Sequence, residues 1–269
     1  MHVIQCLILI SSALALVACS KAPAPENPHP AAKDANIVNL EQGWSAAVQQ
    51  RAWFGSFGSR LAPTAWLDHL QWNGQPFMSD AHMDALGFLV ESASTANPHG
   101  FPVGFTQTTD AQGQAWTGLG CAACHTGEVS YQGKRMRLDG GQGLIDFSTF
   151  ESDLIESLKA VQSNTDSFAG FADALGTVPG DRPALQKQLG ALIESLTARH
   201  SMNRTDVAYG HGRLDAFGQI FNAVAADFLG LPQNRRSPDA PLSLPVLWSA
   251  QHLDVVQWNG SAPNSGPGP

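Results

Sequence analysis

The chain has 269 residues, 43% of them apolar, and its 15 Lys and Arg against 23 Asp and Glu give a formal net charge of −8. That balance leaves no basic stripe for a phosphate backbone and argues against nucleic acid as a partner, while the apolar share is enough for one sizeable core. Of the four cysteines, Cys6 and Cys19 fall in the leader described next, so the folded part holds only Cys121 and Cys124 and excludes a disulfide framework.

From Val3 to Ala18 runs an apolar stretch without an acid, ended by Leu16-Val17-Ala18-Cys19. It is shorter than the roughly 20 residues a membrane helix needs and stops on small residues before a cysteine. Residues 1–18 therefore read as a lipoprotein signal peptide, with Cys19 as the lipid-bearing residue. The expected location is the periplasmic side of a bacterial membrane, or the cell surface. Residues 19–36, rich in Pro and Ala, read as a flexible tether, and the folded domain is expected over 37–269.

Helical periods dominate that domain. Leu40, Trp44, Val48, Trp53 and Phe54 form a first apolar stripe, broken by Gly55, Gly58 and Pro63. A short helix is expected in "TAWLDHLQW", and Ser79 or Asp80 caps another reaching Val90. From Ala93 to Gly120 the chain is full of Gly, Pro, Thr and Asn and reads as loop. After the cysteines, "EVSYQGKRMRLDGG" reads as a small hairpin turning at Gln132-Gly133.

Helices then resume. "STFESDLIESLKAVQ" has capping-box spacing from Ser148 to Glu151, "DSFAGFADALG" ends at Gly176, and the next helix places Leu185, Leu189, Leu192 and Leu196 inward. A last helix buries Leu214, Phe217, Phe221, Val224 and Phe228. The expected fold is mainly α, a cytochrome c-like helical fold with long loops and a small hairpin after the cysteine motif.

The motif is "GLGCAACHTGEVSY". Cys121 and Cys124 on one helical turn can both reach the vinyl groups along one porphyrin edge, and His125 can then ligate the iron. A zinc site would need two further ligands of the cysteine or paired-histidine kind, and a redox dithiol would need a βαβ setting. One covalently attached haem c is the cofactor expected.

The second axial ligand stays open among Met78, Met83, Met136, Met202, His82, His99, His200 and His211, or the position is free. Arg135 and Arg137 could pair with haem propionates or simply form a solvated hairpin face. Trp248 and Trp258 could relay electrons or simply pack.

Beyond the motif, "SFGSRLAPTAWLDHLQ", "NPHGFPVGFT", "GLGCAACHTGEVSYQGKRMRLDGGQGLIDF", "GRLDAFGQIFN" and "VVQWNGSAPN" together resemble a bacterial family of exported di-haem c-type cytochromes related to the rubber oxygenase and, more distantly, to the di-haem cytochrome c peroxidases. The resemblance implies a mostly helical protein with one haem in each half, and carries over Cys121, Cys124 and His125 as the first haem site. Relatives continue into a second half with another such motif, so this chain looks like the N-terminal half.

The expected function is electron transfer in an exported compartment, with a redox protein or a small oxidant as partner. The alternatives are an oxidative haem enzyme of peroxidase or dioxygenase type, or a non-catalytic remnant of a di-haem protein.

Overall fold

A computed structural model describes residues 37–256, 260 and 262–264. The leader, Cys19, the tether and Trp258 lie outside the described residues.

In chain order, β1 (Ile37–Asn39) leads to α1 (Ala46–Phe54), whose first turn is capped by the Ser45 hydroxyl accepting from Val48 N. β2 (Ala62–Pro63) and α2 (Thr64–His69) follow. β3 (Gln71–Trp72) and β4 (Gln75–Pro76) form a hairpin around Asn73-Gly74, whose φ values of 48° and 76° are those such a turn requires. α3 (Asp80–Ala85) ends before Gly87 rather than reaching Val90.

Next come β5 (Phe105–Thr109), β6 (Ala115–Leu119), α4 (Cys121–Cys124), β7 (Thr126–Tyr131) and β8 (Lys134–Asp139). Three longer helices follow: α5 (Phe147–Ser163), α6 (Thr165–Ala174) and α7 (Arg182–Met202). β9 (Arg213–Leu214) precedes α8 (Ala216–Phe221), which continues as a π-helical stretch over Asn222–Phe228. β10 (Leu242–Ser243) pairs with β9, and β11 (Val255–Val256) pairs with β12 (Ala262–Pro263).

The fold is thus mixed α/β, 43% helix and 17% strand, and not the mainly α, cytochrome c-like fold expected. The largest departure is the stretch from Ala93 to Gly120, which holds β5 and β6. Its glycines suggested loop, but "FTQTT" and "AWTGL" carry the β-branched and aromatic residues that suit a pleated surface. Asp110 closes the turn between them, its carboxylate accepting from Gln112 N at 3.0 Å and Gln114 N at 2.9 Å. β2 and β5 flank β6 in one sheet, and β1, β8 and β7 form a second, with β1 parallel to β8.

The α5 cap is also displaced from the expected box. Asp146, not Ser148, accepts from Thr149 N at 3.1 Å, and Glu151 is instead a buried partner of Arg199 and His200 on α7.

Two apolar clusters set the position of α4. The main one joins α5 and α7 to the β5 hairpin through edge-on rings, with Phe88, Phe105 and Phe150 mutually 5.0 to 5.7 Å apart. Ala123 belongs to this cluster. A smaller one gathers Trp53, Phe54, Val103 and Ala122. The two alanines between the cysteines therefore bury in different clusters, and the short helix is wedged between them.

The apolar run after Leu214 does not form a buried stripe. Phe221, at the end of α8, is 61% exposed, and in the π-helical stretch that follows Val224 and Phe228 are 51% and 84% exposed while Asn222 and Ala226 turn inward.

Candidate functional site

β6 delivers the chain to Gly120, the N-cap of α4, and Gly104 lies close beneath the helix. A Cβ at Gly104, whose φ is +88°, would stand 2.0 Å from Ala123 N, so only glycine permits this approach. With Ala122 and Ala123 committed to the two clusters, Cys121 is left exposed and Cys124 half-buried, its side chain packed on the main cluster; both thiols are free.

A cavity of about 360 Å³ opens beside the motif, lined by Cys121, His125, Trp44, Trp53, Trp248 and Asp139 among others. This volume is in the range of small-molecule and cofactor sites. Cys124 does not line it. His125 Nδ1 lies 2.8 Å from Pro245 O. A carbonyl only accepts, so Nδ1 carries the proton and Nε2 keeps a free lone pair, the arrangement that orients a metal-ligating imidazole.

Burial, and secondarily the neighbouring Cys121, push the Cys124 thiol up to about 11. A site that disfavours thiolate does not suit a reactive dithiol. A thioether is neutral and meets no such penalty. Toward a haem c the residues present offer two free thiols on one helical turn and a histidine whose ring, with Cys121, opens on an aromatic-walled cavity, while Cys124 is packed on the main cluster and would have to turn toward it.

The remaining candidates fall elsewhere. None of the eight residues considered for the second axial position lines the cavity. Met78 and Met83 are core residues. His82 is held by Phe77 O and Asp153 and stacks on Trp72 at 4.0 Å, His99 meets Asp68, His200 meets Glu151, and His211 meets Ala85 O. Met136 lies on β8 and Met202 ends α7. Among the described residues no group of three or more His, Cys, Asp or Glu side chains could hold a metal ion.

Arg137 matches neither the propionate nor the solvated-face reading. It is wholly buried, ion-paired to Glu91 and Glu128, donates to Val90 O at 2.5 Å, and places its guanidinium 5.5 Å from the Trp53 ring centroid. Arg135 pairs with Glu128 at 2.5 Å, and neither arginine lines the cavity. Trp248 does line it, donating Nε1–H to Asp139 O at 2.8 Å.

Asp139 is the residue sequence reasoning missed. It is 4% exposed, and its carboxylate accepts from Trp53 Nε1 at 2.5 Å, Gln49 Nε2 at 2.6 Å and Trp44 Nε1 at 3.2 Å. Its backbone also exchanges two hydrogen bonds with the Gln42 amide. A signal was present: a turn at Gln132-Gly133, counted back along both strands, pairs Thr126 with Asp139, which puts the aspartate beside the residue that follows His125.

No protein-family model matches the chain. No solved structure matches it either. It is similar to an uncharacterized protein, y4iJ, of Sinorhizobium fredii, with 31% identity over 257 residues, an alignment covering 84% of this chain and 42% of that protein. The chain thus spans less than half the length of that relative.

Proposed function

We propose that the protein is an exported c-type haem protein that transfers electrons, lipid-anchored through Cys19 on the periplasmic side of a bacterial membrane or at the cell surface. The observation that carries the reading is the geometry of His125, whose Nδ1–H is fixed by Pro245 O while its ring and Cys121 open on the same aromatic cavity. A haem attached there supplies one-electron chemistry at its iron. Cys121 and Cys124 would anchor it, His125 would ligate the iron, and Trp44, Trp53 and Trp248 would keep water from one face. The partner is a redox protein or a small oxidant.

One observation favours a second reading, an oxidative haem enzyme. Among the described residues the cavity wall offers no histidine or methionine other than His125. The test is a visible spectrum of protein matured with covalent haem, oxidised and reduced, with a pyridine haemochrome count. A low-spin spectrum with one haem c per chain supports electron transfer. A high-spin spectrum with rapid peroxide or oxygen reactivity supports the second reading, and a chain that takes no covalent haem overturns both.

A further inference from the structure

Asp139 is a buried carboxylate whose side-chain donors among the described residues are all neutral. Gln49, Trp44 and Trp53 donate to it, and Arg137, the buried cation nearby, is turned to Glu91, Glu128 and Val90 O instead. Three N–H donors favour the charged form of a carboxylate, and a charge in so buried a place is poorly screened. It stands in the wall of the same cavity as His125 and Cys121. Such a charge must act on whatever redox group shares the cavity.

We propose that Asp139 is a positioning residue that sets the reduction potential of the site, holding it low by stabilising the oxidised, more positive state of the bound group. The inference rests on the haem reading above. The three donors tune the effect, since each N–H draws charge from the carboxylate, and Gln49 does so from behind the cavity wall, which it does not itself line.

Two substitutions separate this from a structural role. Asp139→Asn removes the charge and raises the potential, each tenfold change in the oxidised-to-reduced ratio being read as about 59 mV for one electron. Gln49→Met keeps the volume but withdraws one donor, so the carboxylate bears more charge and the potential falls. Both are measured by spectroelectrochemical titration of haem-loaded protein at pH 8, well above the ordinary carboxylate range.

Opposite shifts in the two variants support the proposal. An unchanged potential in Asp139→Asn, or a rise in Gln49→Met, overturns it. Should Asp139→Asn fail to fold, Gln49→Met decides alone, a fall supporting the proposal and no change overturning it. Wild-type protein without covalent haem sinks the haem reading itself, an outcome distinct from a haem protein whose potential ignores Asp139.

Discussion

The two cysteines of the motif have the same residue type and different surroundings. Cys121 faces the cavity, whereas Cys124 is packed against the main core and its thiol is pushed up to about 11, first by burial and then by Cys121. The thiolate is the nucleophile. At pH 8 a thiol of that pKa is about 0.1% ionised against roughly a quarter for an ordinary thiol near 8.5. In haem-free protein, Cys124 is therefore expected to react with iodoacetamide on the order of two-hundredfold more slowly than an unperturbed cysteine, with a rate rising tenfold per pH unit towards about 11, as read by peptide mass spectrometry. The sign carries to stability. The folded state binds this proton more tightly than the unfolded chain, so the stabilisation is complete below about pH 9 and is lost as pH rises towards about 11.

At the scale of elements, α5 and α4 depend on single residues at their margins. Asp146 closes the first turn of α5 with one bond to Thr149 N and another to the Thr149 hydroxyl at 2.9 Å. Asp146→Ala is expected to cost about 1 kcal/mol in urea unfolding, and Ser148→Ala close to nothing, because the cap lies two residues before the box the spacing suggested. For α4 the determinant is the close approach of Gly104. Gly104→Ala drives a methyl into Ala123 and must displace the helix that carries both cysteines. Gly113, with a similar φ of +83° at the tip of the β5 hairpin, has open space around it. On the haem reading proposed above, the expected outcome is a large loss of covalent haem for Gly104→Ala and a cost of only about 1 kcal/mol in stability, with haem attachment unaffected, for Gly113→Ala.

What could be read from the chain follows the same division between local and distant causes. The turn at Gln132-Gly133 and the end of α6 at Gly176 are local, and both form where the residue chemistry puts them. The motif is local too, its three residues lying within five positions, so the haem expectation could be formed from the sequence alone. The wall opposite His125 is not local. The donors to Asp139 come from α1 and the segment before it, 86 to 95 residues away, and no periodicity couples an indole at Trp53 to a carboxylate at the end of a hairpin. The β5 hairpin was hidden for another reason: its glycines and polar threonines imitate loop composition, and only cross-strand pairing separates the two.

For the whole molecule, the useful contrast is between phenylalanines that look alike in sequence. Phe150 sits 1% exposed at the junction of α5 with the β5 hairpin, with rings of Phe77, Phe88 and Phe105 all within 5.7 Å. Phe221 and Phe228 satisfy an equally regular helical spacing, yet each leaves more than half its surface to solvent. A transfer argument then separates them. Phe150→Ala removes a ring from a closed cluster and leaves a void, so it should cost about 3–5 kcal/mol. Phe221→Ser and Phe228→Ser remove rings that gain little from folding, so each should change the unfolding free energy by about 0.5 kcal/mol or less. Equilibrium unfolding of the three variants tests the placement. A cost at Phe228 comparable to that at Phe150 would mean that the π-helical stretch packs inward, as its spacing alone had suggested.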